Sequence, residues 1–202
     1  AVITILTNET INSHIDHDMA ETLSYCMRGE SSALAARCMD AIIARGARRY
    51  GSTYDVERTV AVLARKSPQI FLSRLFPDGE DGPSIRLRSG LDRDCLFHVP
   101  VDPLIEWCHE DPTRWAKVAP NISPFARGSQ DNDEVREISA QALGFLNAAP
   151  CPEEIVEAYL GYLAPTSWSG SRADIMESRL KSIETLIDHP APEVRHTIAR
   201  LV

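Results

Sequence analysis

The chain has 202 residues, 44% hydrophobic and 25% charged, a globular composition long enough to bury roughly 70% of its unfolded surface without help from a disulfide or a metal. No apolar run approaches the ~18 residues that a membrane-crossing helix needs, and the opening AVITILTNET lacks the basic start and long apolar core of a secretion signal. The formal net charge of −8 works against a phosphate-binding surface, most of all over residues 128–202, where twelve Asp and Glu stand against six Lys and Arg.

The predicted elements are helices, near 2–14, 17–28, 31–47, 55–66, 68–76, 102–110, 112–119, 132–148, 152–164, 171–188 and 192–202, with the first two either joined or separate. Apolar stripes at helical spacing support them: Leu34, Cys38 and Ile42; Val56, Val60 and Leu63; Val135, Ile138, Ala142 and Leu146; Met176, Leu180, Ile183 and Ile187. Proline marks several starts, because the N–H it lacks has no partner in a first helical turn. Ser67-Pro68, Asp102-Pro103 and Asp111-Pro112 each place a capping side chain before the ring, and Pro152 and Pro192 are each followed by acid that suits a helix N-terminus. Short links between helices make sequential neighbours antiparallel, so the chain is expected to be all-α, stacked as helical hairpins. Residues 77–100 break the pattern with three Gly and three Pro, and Ile85 and Leu87 alternate with Arg86 and Arg88 as in a short β-hairpin. This interval is expected to be an irregular insertion or linker between N-terminal hairpins at 1–76 and C-terminal hairpins at 101–202, unless the whole is one continuous domain.

The five cysteines contain no C-x-x-C pair, and an odd, dispersed set fits reduced thiols in the cytoplasm. There is no phosphate loop, dinucleotide-binding fingerprint, nucleophile elbow or H-E-x-x-H zinc motif. Two sets invite a metal: His14 and His17 with Asp16 and Asp18, and Cys95, His98, Cys108 and His109. The first reads better as a polar hinge in which Asp16 or Asp18 caps the next helix; in the second, adjacent Cys108 and His109 diverge on one helix, so no metal or other cofactor is expected. Ser169, Gly170, Ser171 and Arg172 surround a helix start whose free N–H groups attract anions, although a capping box of Ser171 with Asp174 accounts for the same residues. Arg45, Arg48 and Arg49 close one helix, and Arg86 and Arg88 lie in the irregular interval; together they are the candidates for a basic nucleic-acid groove. Asp92 and Asp94 interleave with the loop arginines and weaken that idea. Trp107 and Trp115 flank the Asp111-Pro112 turn and are read as hairpin packing.

Two stretches share a pattern: DNDEVREISAQAL at 131–143 and HPAPEVRHTIARL at 189–201. Each turns on Asp or Pro, continues E-V-R and then carries small and apolar residues at helical spacing. This resembles the inter-helix turn of HEAT-type repeats, most clearly over residues 131–202, with Val135 and Val194 starting a buried stripe and Arg136 and Arg195 near the turn, positioned to bond its carboxylates or carbonyls. The two valines lie further apart than the ~40–47 residues of one such repeat, so the solenoid implied is irregular. The resemblance implies a non-enzymatic scaffold with a protein partner, and the helix at 192–202, which reaches the chain end uncapped, reads as a segment cut from a larger intracellular protein, multidomain bacterial proteins being one setting. Two other roles stand beside it: a nucleic-acid-binding or DNA-repair module, since some HEAT-like proteins are DNA glycosylases, and a metal-dependent hydrolase on a helical scaffold.

Overall fold

A computed structural model describes residues 1–7, 11–27, 32–48, 54–78, 95–126, 137–165 and 170–200. Over these residues the protein is all-α, and its one extended pairing among them is an antiparallel bridge between Phe125 and Ile138. The chain divides into two compact units, Ala1–Arg114 and Trp115–Val202. The sequence placed the division at 77–100; the chain contacts place it after the helix Val101–His109, which packs on the helix Pro68–Leu75. The hairpin expected at 85–88 lies outside the described residues. The end of that interval is ordered against the core: Cys95–His98 forms a 3-10 turn packed on the helix Glu57–Lys66, with Leu96 and Val99 buried.

Unit 1 is built from α1 (Val2–Thr7), α2 (Ser13–Cys26), α3 (Ser32–Arg48), α4 (Glu57–Lys66), α5 (Pro68–Leu75) and α6 (Val101–His109). The expected single helix at 2–14 is interrupted, because the Asn12 side chain accepts hydrogen bonds from the His14 and Ile15 amides and starts α2 there. Helices pack on their second neighbours: α1 on α3, α3 on α5, and α2 on α4. This gives two rows, α1–α3–α5–α6 and α2–α4, which meet where α1 touches α2 and α4 touches α5. Val56, Val60 and Leu63 are buried as their spacing predicts, as are Cys38 and Ile42, while Leu34 is half-buried. Trp107 is buried against Phe76, and its Nε1 donates to Ser73 Oγ at 3.0 Å. Arg114 stacks on the Trp107 ring 4.2 Å from its centroid and donates to the Trp107 carbonyl at 2.8 Å. Burial works against its charge, but bonds to Glu110 and Asp78 outweigh that and raise its pKa.

Unit 2 takes in most of α7 (Thr113–Val118), then α8 (Ala140–Ala148), α9 (Pro152–Leu160), α10 (Arg172–Glu184) and α11 (Pro192–Ala199), with 3-10 turns at Ala119–Asn121 and Thr185–Asp188. Of the three proposed Xaa-Pro caps, Asp111 caps α7 through the Thr113 amide, Ser67 makes no side-chain cap bond, and Asp102 lies inside α6. The helix expected at 132–148 begins only at Ala140. Ile138 is held extended, with the Ala126 amide donating to Glu137 O and the Ser139 amide to Pro124 O, and Ser139 Oγ then caps α8 at the Ala142 amide. Trp115 packs on Phe145 with ring centroids 4.6 Å apart, and α9 lies against both α8 and α11. Tyr159 is buried, and its hydroxyl donates to Ala142 O at 2.9 Å; burial raises its pKa.

Candidate functional site

The polar groups singled out in the sequence are dispersed by the fold, and most are used internally. Asp16 does cap a helix, but across space. Its Oδ2 accepts from the Arg58 amide at 2.9 Å and its Oδ1 from the Thr59 amide at 3.0 Å and Thr59 Oγ1 at 2.6 Å. These are the free N–H groups of the first turn of α4, whose own N-cap, Val56, has no side chain to offer. The carboxylate is 4% exposed and serves as the missing cap. It therefore leaves His14 and His17 on the outside of α2, where His17 Nδ1 meets Arg58 Nη1 at 2.9 Å. A guanidinium at that nitrogen is incompatible with a cation there.

The Cys/His set is likewise split. Cys108 points into the core and His109 outward, while His98 is half-buried with its ring edge-on to Phe97. Burial pushes the Cys108 thiol up to about 12, against the opposing charge of Arg114. The Cys95 side chain lies outside the described part. No cluster of three or more His, Cys, Asp or Glu side chains able to hold a metal occurs among the described residues.

At the start of α10, Gly170 has φ +80°, a left-handed conformation that disfavours any side chain, and delivers Ser171 as N-cap. Ser171 Oγ accepts from the Asp174 amide at 3.3 Å. The cap thus occupies one of the free amides an anion would use, and the Asp174 carboxylate sits in the same turn. Gly170, Ser171 and Arg172 are exposed, and Ser169 lies outside the described residues.

The arginine group separates in the same way. Arg45 is 2% exposed and ion-paired with Asp55; its Nε donates to Asp55 Oδ2 at 3.2 Å. It is a core group and not part of a surface groove. Arg48 ends α3, and Arg49, Arg86 and Arg88 lie outside the described residues. The exposed cations Arg65 and Lys66 line an open groove of about 390 Å³ with Ser24 and Val62, at the C-terminal end of α4, where positive charge is favourable for the helix itself.

Two features were not read from the sequence. The first is the surface of α10 and the 3-10 turn Thr185–Asp188 that follows it. The stripe Met176, Leu180, Ile183 and Ile187 was expected inside, yet Met176 is 37% and Ile187 42% exposed and Leu180 is half-buried. The helix instead turns Ile175, Ser178, Ser182 and Ile183 inward. Ser182 tolerates burial because the helix backbone satisfies it: its Oγ donates to Ser178 O at 3.1 Å. Of the expected stripe, Ile183 alone is fully buried, Leu180 is half-buried, and Met176 and Ile187 are exposed.

The second is the turn between α10 and α11. Arg195 Nη1 donates to both His189 O and Pro190 O at 2.7 Å, and Val194 is fully buried. His189, 7% exposed, accepts from the Ala191 amide at Nδ1 and contacts Asn147 Oδ1 through Nε2 at 2.8 Å. The position of Arg195 beside the turn matches the E-V-R expectation, while the equivalent Val135 and Arg136 lie outside the described residues.

No helix among the described residues is long and apolar enough to cross a membrane. No protein-family model, curated protein or solved structure matches the chain.

Proposed function

We propose that this protein is a non-enzymatic helical scaffold whose units are irregular HEAT-like hairpin stacks, and that α10 and the 3-10 turn after it present a surface to a protein partner. The observation that carries this reading is the exposure of Met176 on α10 and Ile187 on the 3-10 turn that follows it, with half-buried Leu180 between them, on an element already packed through Ile175 and Ile183. An apolar face left in water is a feature of interaction sites. Support for the hairpin stack comes from second-neighbour packing within the units and from Arg195, which closes the α10–α11 turn onto its own carbonyls. Cys26, Cys38, Cys108 and Cys151 are free thiols, in keeping with a cytoplasmic setting. The burial of Arg45 weighs against the nucleic-acid reading, and the separation of Asp16 from His14 and His17 weighs against the hydrolase reading.

A photo-crosslinking amino acid placed at position 176, at 187 and, as a control on the exposed face of α2, at 21 tests the proposal in cells. Discrete protein adducts from 176 or 187 but not from 21 are expected. Equal adducts at all three positions, or none, would remove the reading, and adducts that collapse on nuclease treatment would favour nucleic acid instead.

A further inference from the structure

His189 sits where three segments of unit 2 meet, and its protonation state can be read from its partners. The Ala191 N–H lies 3.1 Å from Nδ1. A backbone N–H can only donate, so Nδ1 must be bare and the neutral ring carries its proton on Nε2. That proton points at Asn147 Oδ1, 2.8 Å away near the end of α8. Ala191 is the N-cap of α11, and Arg195 of α11 grips the His189 and Pro190 carbonyls. A single neutral imidazole therefore joins the end of α8 to the start of α11.

We propose that His189 is a pH-sensitive latch: neutral, it ties α11 to α8; protonated, it gives up the Ala191 bond and loosens the start of α11. Three effects oppose the charged ring together. A proton on Nδ1 would face the Ala191 N–H donor to donor. The new charge would lie at the N-terminal, positive end of the α11 dipole. It would also lie near the Arg195 guanidinium. Around the ring, α8 carries no charged side chain, the turn carries Asp188, α10 carries Lys181 and Glu184 near its end, and α11 carries Glu193, Arg195 and His196. Burial first, and then the Arg195 charge, hold the His189 pKa below the ordinary imidazole value. Release would expose the face of α11 that carries Val194 and Ile198, both now buried.

The test is amide exchange followed by NMR in the full chain at pH 7.5 and 5.0, corrected for intrinsic exchange rates. Protection at Ala191 and Arg195 is expected to fall at the lower pH, because the charged ring can no longer accept the Ala191 N–H. His189→Asn offers Ala191 an acceptor oxygen at either pH, so its protection should not change with acidification. Equal protection of the wild-type amides at both pH values would overturn the latch, as would the same loss in the variant. Ring nitrogen shifts give a readout that needs no variant: Nδ1 bare at pH 7.5 supports the proposal, and Nδ1 protonated at that pH refutes it.

Discussion

Asp16 shows how one side chain can be essential to an element it does not belong to. Two backbone amides and one hydroxyl of α4 depend on its carboxylate, and the two Thr59 donors are buried. Asp16→Ala should cost about 2–3 kcal/mol, the sum of a lost helix cap and a buried donor left unpaired, measured by urea denaturation. A change under ~0.5 kcal/mol would mean that the amides find another acceptor. The Arg45–Asp55 pair makes a second residue-scale case. Arg45→Met should destabilise by about 2–3 kcal/mol, below the range for fully buried pairs because Asp55 is 17% exposed. His189 contributes a pH dependence of known sign. Its folded pKa lies below the unfolded value of about 6.5, so its stabilisation is complete above that pH. It is lost as pH falls from there through the folded pKa. The melting temperature of the wild type should therefore drop between pH 7.5 and 5.0 by more than that of His189→Asn. The sequence made Asp16 legible as a cap but not which helix it caps, since its recipients are more than forty residues away. It gave no hint of the His189–Asn147 bond, which also closes over a separation of 42 residues.

At the scale of elements, spacing alone located most of the helices. The stripe of Val56, Val60 and Leu63 is buried throughout, and Pro68, Pro152 and Pro192 each open a helix. The reading failed where polar atoms satisfy themselves locally. Spacing counts Ser182 as a surface residue, yet its hydroxyl, bonded back to its own helix, can be buried at little cost. The helix is thereby rotated from the phase that its strongest apolar residues suggest. This assignment of faces is directly testable. Ile175→Ala should cost about 2–3 kcal/mol as a core truncation, whereas Met176→Glu, one residue on, should change stability by no more than about 0.5 kcal/mol. Comparable losses at the two positions in denaturant titrations would show that the faces are assigned wrongly. The same lesson applies to the helix expected at 132–148. Periodicity alone predicts a helix through its first described residues, 137–139, but Ser139 as a cap and β-branched Ile138 as an extended residue hold them out of it.

Across the whole molecule, the all-α class followed from helical periodicity and proline placement, both of which are local properties. The division into units did not, because it depends on which helices touch. Composition drew attention to the Gly- and Pro-rich interval, whereas the contacts assign α6 to unit 1 and begin unit 2 at Trp115. Charge is the property of the whole chain most easily turned into a measurement. With a net −8 and Arg45 removed from the surface, the protein should bind duplex DNA more weakly than about 10⁻⁴ M at physiological salt, measured by fluorescence anisotropy. A tighter affinity that falls steeply with added salt would contradict this. The long-range cap on α4 also bears on how the protein is made. As the chain leaves the ribosome, Asp16 emerges well before Arg58 and Thr59, so the acceptor is already waiting when those amides appear. Docking of α4 on α2 can therefore begin during translation, before any residue of unit 2 has been synthesised.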